Sequence, residues 1–170
     1  MLNIFTDANT ENIGFIVYEG KKELHRDKDD SSNKDVAINE LEAIKFALKY
    51  ASKNHLYEDI YLFTDNTNAK KMVDSIVYEH CTVPDSDRLD KNDVSDLLEK
   101  IEKYIGKLGD IDVIYSPAHC ETNKEVKKKF KKFNSDFTIN NYKDLEKRKR
   151  KKFIKRMRKR NAEIDKYIKE

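Results

Sequence analysis

Leu2-Asn3-Ile4-Phe5-Thr6-Asp7 and Ile60-Tyr61-Leu62-Phe63-Thr64-Asp65 are two apolar runs that end in the same three residues. Each run predicts a buried strand that presents a carboxylate where it ends. Glu40 lies between them, at the start of a helix predicted over residues 38–53. Carboxylates on rigid elements are the ligands that Mg²⁺ prefers in proteins. The sequence therefore predicts three acids that converge on a divalent metal site suited to phosphate chemistry.

Strands and helices alternate around these acids. Further strands are predicted over 13–18, 23–28 and 111–115, and helices over 66–73, 93–107, from 122 onward and over 143–169. The polar segments 27–35, 75–92 and 134–141 are expected to contain loops. This order predicts the α/β class, with a mixed five-stranded sheet flanked by helices and a long basic C-terminal helix. We expect a domain over residues 1–133 and a basic helical extension over residues 134–170.

Charge is distributed unevenly along the chain. The 170 residues include 35 Lys and Arg and 32 Asp and Glu, which gives a net charge of +3. Residues 1–123 hold 15 basic and 25 acidic residues, whereas residues 124–170 hold 20 basic and 7 acidic ones. An acidic body followed by a basic tail is more informative about partners than the net charge is.

The cysteines and the apolar runs limit the class of protein. Cys81 and Cys120 form neither a disulfide framework nor a zinc-binding spacing, so we expect reduced thiols. Met1 leads directly into a strand without a signal-peptide pattern. No apolar run approaches the roughly 20 residues that span a bilayer. We therefore expect a cytoplasmic protein without a membrane partner.

Helix geometry separates Glu40 from Glu42. At about 100° per residue, the apolar stripe of the predicted helix is centred about 40° from Glu40 and about 160° from Glu42, so Glu40 faces the sheet. A lone carboxylate there is costly unless a metal, a partner or water reaches it. Each acid also has a simpler explanation. Glu40 would be a favourable charge at a helix N-terminus, and Asp7 and Asp65 would cap the elements that follow them.

Four motifs in this order resemble the type 1 ribonuclease H family over roughly residues 2–130. The first strand of that family ends in Phe/Tyr-Thr-Asp, as at Asp7, and its first helix opens with Glu-Leu-x-Ala-x-x-x-Ala-Leu, as from Glu40 to Leu48. Its fourth strand ends in Thr-Asp-Ser, where this chain has Thr64-Asp65-Asn66. A later Pro-Ala-His turn and a helix-starting Asn correspond to Pro117-Ala118-His119 and to Asn123.

The resemblance implies a ribonuclease H-like fold and metal-dependent cleavage of RNA in RNA–DNA hybrids. The implied catalytic residues are Asp7, Glu40, Asp65 and His119. Two Mg²⁺ or Mn²⁺ ions would bind with substrate, bridged by Asp7, and Glu40 and Asp65 would hold the ion at the leaving oxygen. His119 would assist proton transfer or product release. Polar contacts to nucleic acid are expected from Asn9, Asn66 and Asn123.

The sequence departs from the family at its fourth active-site acid. That acid lies four residues after the helix-starting Asn, where this chain has Lys127. A lysine ammonium would repel an ion at this position and would instead contact nucleic acid. The departure raises a second hypothesis, a nucleic-acid-binding protein of the same fold with weakened or no catalysis. Glu121, in the loop after His119, is the acid that we expect to replace the missing metal ligand.

The C-terminal tail is densely cationic, which predicts contacts to nucleic-acid phosphates that weaken with salt. The expected contacts are Lys147, Arg148, Lys149, Arg150, Lys151, Lys152, Lys155, Arg156, Arg158, Lys159 and Arg160. A stripe of Phe153, Met157, Ile164 and Ile168 predicts docking on the body or on a partner helix through residues 143–169. A solvated or disordered arm, and a tail folded over the acidic body, are the alternatives. A scaffold protein that binds its partner through this helix is a third hypothesis.

Overall fold

Five strands form one mixed sheet in the computed structural model, which describes residues 1–33, 35–78 and 91–170. They are β1 (Leu2–Ala8), β2 (Asn12–Glu19), β3 (Lys22–Asp30), β4 (Ile60–Thr64) and β5 (Ile111–Tyr115). The spatial order is β3-β2-β1-β4-β5. The β1–β2 and β2–β3 pairs are antiparallel, and the β1–β4 and β4–β5 pairs are parallel. The carboxyl ends of β1, β4 and β5 therefore lie at one edge of the sheet.

Six helices, counted over the same residues, cover the two faces of the sheet. They are α1 (Val36–Asn54), α2 (Thr67–Val77), α3 (Lys91–Ile105), α4 (Asn123–Phe133), α5 (Asp136–Asp144) and α6 (Lys147–Lys169). The hydroxyl of Thr122 accepts a hydrogen bond from the Glu125 amide at 3.2 Å, which confirms the predicted cap of α4. No helix among the described residues combines the length and the apolarity that crossing a bilayer requires.

The central strands are apolar at nearly every position because both faces of the sheet are covered. Leu2, Ile4 and Leu62 belong to a core that also contains residues of α1, α2 and α3. Phe5 and Phe63 belong to a second core, built with residues of α4, α5 and α6. Their rings stack with centroids 4.2 Å apart. The fold therefore has three layers, with β1 at the centre of the middle one.

Helix α6 is packed into the second core. Ile154, Met157, Ile164 and Ile168 are each at most 2% exposed and share that core with β1 and β2. Of the alternatives for the tail, the structure shows docking on the body. Burial of such side chains contributes about 1.5–3 kcal/mol each relative to exposure. The division of the chain at residue 133 stays a prediction.

Helix α5 is the main difference from the predicted elements. Residues 134–141 are polar and were expected to form a break, but the Ser135 hydroxyl caps a helix there by accepting from the Thr138 amide at 3.2 Å. The buried side chains of this nine-residue helix are Thr138 and Tyr142. Two buried positions give too weak a periodicity to predict a helix from sequence.

The predicted loop over residues 75–92 is only partly described. Helix α2 extends to Val77 and α3 begins at Lys91, whereas residues 79–90, which include Cys81, lie outside the described residues. Among the described residues, Cys120 is a buried free thiol.

Candidate metal centre

Asp7 lies at the end of the central strand, next to the point where the strand order reverses direction. Its Oδ1 accepts a hydrogen bond from the Ala8 amide at 2.9 Å, and the residue is 7% exposed. In open α/β sheets, ligands bind beyond the carboxyl ends of the strands at such a switch point. The position of Asp7 is therefore suited to a ligand site.

Glu40 reaches the same point from α1. The helix begins at Val36 with Asp35 as its cap, since the Asp35 side chain accepts from the Ala37 amide at 2.8 Å. Glu40 thus lies beyond the first turn, and the helix-dipole explanation loses its basis because that effect falls off within one turn. Its Oε1 accepts from the Ala8 amide at 3.3 Å. Its Oε2 is buried without a hydrogen-bond partner, and the residue is 2% exposed.

Asp65 follows β4, and its neighbour Asn66 caps α2. The Asn66 side chain accepts from the Ala69 amide at 2.9 Å. Asp65 is therefore not needed as the helix cap, which removes the simpler explanation for this carboxylate. The cap also occupies the Oδ1 of Asn66, one of the expected nucleic-acid contacts.

The three acids converge as predicted. Asp7, Glu40 and Asp65 each offer a carboxylate oxygen, and these oxygens lie within 4.8 Å of one another. Burial and the charge of Asp65 raise the pKa of Asp7 to about 7. Burial and the other two carboxylates raise the pKa of Glu40 well above its ordinary value. Burial also raises the pKa of Asp65, and nearby His119 opposes this effect.

A divalent cation fits this set of donors. Carboxylates crowded together in a buried site are costly unless they are protonated or share a cation. The unpartnered Oε2 of Glu40 is a ligand atom that the protein itself does not satisfy. Hard cations such as Mg²⁺ and Mn²⁺ take oxygen ligands of this kind. Asp7, Glu40 and Asp65 would therefore hold the metal.

His119 lies on the turn after β5, at the same edge of the sheet. The Ser116 amide donates to the Thr64 carbonyl at 2.8 Å, which ties this turn to the end of β4. His119 is exposed and has a φ of 53°, a left-handed conformation that is uncommon outside glycine. It is close enough to Asp65 for its charge to act on that carboxylate. The structure thus brings His119 to the border of the acid cluster.

Of the remaining polar residues of the predicted site, Asn9 and Asn123 serve local structure. The Asn9 side chain accepts from the amides of Glu11 and Asn12, both at 2.7 Å, and so closes the turn after β1. Asn123 accepts from Arg158 at 3.2 Å. Glu121 is exposed and is not part of the cluster of oxygens found among the described residues. Lys127 is half-buried on α4.

Most of the predicted cations of α6 are exposed, and two are held by the protein. Arg160 is 5% exposed, donates to the Gly20 carbonyl at 2.6 Å and stacks 3.8 Å from the ring centre of Tyr18. Arg158 donates to the Glu121 carbonyl at 2.6 Å. Arg160 therefore supports the fold, and we do not include it in a nucleic-acid surface.

Sequence reasoning missed two residues of α6 that lie beside the site. Asn161 donates to the carbonyls of Ser116 and Pro117, at 2.8 and 3.4 Å, and so supports the turn that carries His119. Asp165 lines a cavity of about 250 Å³ together with His119. In the sequence, the feature that could have pointed to Asp165 is its position at the border of the apolar stripe of α6.

This fold is shared with known solved structures, among them two RNase H proteins. RNase H1 from the halophilic archaeon Halobacterium salinarum NRC-1 superposes with a TM-score of 0.53 at 12% identity, over 78% of this chain and 93% of that one. The N-terminal RNase H domain of rv2228c from Mycobacterium tuberculosis, in a fusion with maltose binding protein, gives a TM-score of 0.50 at 15% identity, over 66% and 83%. Neither a protein-family model nor a curated protein matches the sequence. The chain has a ribonuclease H-like fold.

Proposed function

We propose that this protein is a metal-dependent endonuclease that hydrolyses RNA in RNA–DNA hybrids. The observation that carries the proposal is the cluster of Asp7, Glu40 and Asp65, with ligand oxygens within 4.8 Å and one buried oxygen unpartnered. The fold supports it, because the two solved structures compared above, which share the fold, are named as RNase H proteins.

The acid cluster and His119 have separate tasks in the proposed reaction. Asp7, Glu40 and Asp65 would hold Mg²⁺ or Mn²⁺, which when bound neutralises charge on the scissile phosphate and lowers the pKa of the attacking water. The water oxygen forms a bond to phosphorus, the bond to the 3′ oxygen breaks, and that oxygen takes up a proton from solvent, which leaves a 5′ phosphate and a 3′ hydroxyl. His119, exposed on its turn, takes the proton that the water gives up or assists product release.

The exposed cations of α6 are proposed to hold the phosphates of the hybrid. Lys152, Lys155, Arg156 and Lys159 line a groove of about 510 Å³, and Lys21 from the β2–β3 turn joins them. Such clusters bind nucleic-acid backbones without reading sequence, and release of counterions makes the binding salt-dependent. The groove therefore supplies affinity, whereas the acid cluster supplies chemistry.

Cleavage of a hybrid labelled on its RNA strand tests the proposal. Wild type should cleave only with Mg²⁺ or Mn²⁺ present, and Asp7→Asn should lower the rate by at least about 100-fold, since loss of outer-shell partners alone costs 10–100-fold. Asp144→Asn, which removes an exposed acid of α5, is the matched control and should keep full activity. Activity that survives Asp7→Asn would remove the assignment.

Binding without turnover is a second candidate function, favoured by Lys127. A lysine stands where the resemblance leads us to expect the fourth acid, and it lies half-buried on α4. This candidate predicts salt-sensitive binding of the hybrid, no metal-dependent cleavage, and a gain of cleavage in Lys127→Asp. Ordinary cleavage by wild type would refute it.

A further inference from the structure

We propose that Asp165, on the C-terminal helix α6, supplies the fourth carboxylate of the metal centre, a role that neither Lys127 nor Glu121 fills. The inference rests on the proposed function, because it assigns a further ligand to the same centre. The ion that Asp165 would bind is a second one, in addition to the ion that Asp7, Glu40 and Asp65 can share.

The end of α6 is fixed directly beside the strand that carries Asp7. The Asn12 side chain donates to the Ile168 carbonyl at 2.9 Å. Gly14 is the cross-strand partner of Asp7, and a Cβ placed on Gly14 would lie 2.8 Å from the Ile168 side chain. The absence of a side chain at Gly14 is therefore what lets α6 approach the sheet at the position of Asp7.

The same helix is tied to the other side of the site about two turns earlier. Asn161 donates to the carbonyls of Ser116 and Pro117 at the end of β5. Asp165 comes four residues after Asn161 and three before Ile168, so it lies between these two anchors on nearly the same helix face. Its side chain is 31% exposed and lines the cavity that His119 also lines. A cation that enters this cavity from solvent can therefore reach the carboxylate of Asp165.

The electrostatic environment agrees with this placement. The charge of Asp165 raises the pKa of both Asp7 and Asp65, so its carboxylate is within range of two members of the cluster. It is not one of the three residues whose oxygens lie within 4.8 Å of one another. Paired ions in two-metal sites lie about 3.5–4 Å apart, and the second ion needs a ligand beyond the set that binds the first. In the proposed centre, Asp165 supplies that ligand.

One further observation favours a ligand here, and another identifies the cation with which that ligand would compete. The buried Oε2 of Glu40 lacks a hydrogen-bond partner, which marks the centre as incomplete without a cation. Lys169, one turn after Asp165, pairs with its carboxylate at 2.6 Å and also acts on Asp7. A lysine ammonium thus neutralises Asp165 in the metal-free protein, and a bound ion would compete with it.

Titration of the full-length protein with Mn²⁺, followed by calorimetry and by the Mn²⁺-induced change in Tm, tests the inference. Asp165→Asn should weaken Mn²⁺ binding by at least about tenfold or remove one ion from the stoichiometry. Lys169→Gln should tighten it about two- to tenfold, because it removes a competing cation. Glu170→Gln, which breaks the exposed Lys166–Glu170 pair on the same helix, is the matched control and should change nothing.

The two variants have opposite expected signs, which separates a metal ligand from an ordinary surface ion pair. A surface pair spaced four residues apart contributes about 0.3–0.5 kcal/mol, and its loss affects both variants alike. If Asp165→Asn and Lys169→Gln both bind Mn²⁺ as Glu170→Gln does, the inference is overturned while the proposed function stands. If Asp7→Asn also leaves Mn²⁺ binding unchanged, the metal centre itself is wrong and the proposed function fails with it.

Discussion

Replacing Asp7 by asparagine is expected to make the metal-free protein more stable. Burial and Asp65 raise the pKa of Asp7 from 3.8 to about 7, so the folded state keeps a proton that the unfolded chain releases. Between about pH 4 and pH 7 the folded state therefore binds more protons, and stability falls as the pH rises. Asparagine is neutral and nearly isosteric, and its carbonyl can still accept from the Ala8 amide. The Asp7→Asn variant therefore does not lose stability in this way as the pH rises.

The size of the gain follows from the pKa. Each pKa unit corresponds to 1.36 kcal/mol, so the full cost of ionising Asp7 is roughly 4 kcal/mol above pH 7. Asp7 is 7% exposed and keeps some contact with water, so we expect a gain of about 2–4 kcal/mol. For a chain of this length that is an increase in Tm of about 5–15 °C. Near pH 4 the difference should fall to a small remainder, since the folded state holds the proton and the unfolded chain is only about half ionised.

Thermal unfolding followed by circular dichroism, with a chelator present, measures this difference from pH 4 to pH 8. Asp144→Asn is the control and should show no pH-dependent gain. Adding Mn²⁺ to 100 times its Kd should stabilise wild type by about 2.7 kcal/mol and leave Asp7→Asn nearly unchanged, so that the two Tm values approach or cross. An Asp7→Asn variant that is no more stable than wild type at pH 8, or a gap independent of pH, would refute the reasoning.

Four further predictions concern α6 and its contacts. Arg160→Ala should lower the free energy of unfolding by about 2–4 kcal/mol in urea, because a charged hydrogen bond and a cation–π contact are lost, and a variant as stable as wild type would contradict this. Gly14→Ala should cost about 1–3 kcal/mol in the same assay, since the new Cβ meets the end of α6, and an unchanged midpoint would show that the helix gives way freely. Lys155→Ala and Arg156→Ala should each make the slope of log affinity for the hybrid against log salt concentration shallower by about 0.9, with Tm unchanged. Slopes equal to that of wild type would show that these cations do not contact the hybrid. Deleting α6 should abolish cooperative unfolding seen by circular dichroism, and a truncated chain with a sharp transition would show instead that residues 1–146 fold without it.

The three acids were predictable because their positions follow from local pattern. Two strands end in Thr-Asp, and parallel strands bring their carboxyl ends to the same edge of a sheet. Helical periodicity turned Glu40 toward that sheet and Glu42 away from it. The structure adds what sequence could not give, namely that Asn66 rather than Asp65 caps α2 and that Glu40 lies beyond the first helical turn.

The contribution of α6 could not be read from local pattern. Periodicity shows which face of a helix is apolar, but it does not show which surface that face covers. Asp165 lies roughly 75° from the centre of the apolar stripe, at its border, and is separated from Asp65 by 99 intervening residues. Arg160 was predicted to contact nucleic acid together with its exposed neighbours. In a dense run of cations, the sequence does not distinguish the one side chain that is buried against the body.

The composition of α6 lets one helix carry an exposed cationic face and a buried apolar face. Residues 118–170 contain neither glycine nor proline, so the 23-residue helix is continuous and its faces stay distinct. Like charges four residues apart destabilise an isolated helix, and packing of the apolar face against the sheet offsets that repulsion. The same packing sets the position of Asp165, because Ile168 and Asn161 are the contacts that fix its turn of the helix. A chain that takes its fourth carboxylate from this helix can therefore dispense with an acid at the start of α4, and a lysine at position 127 is compatible with hydrolysis.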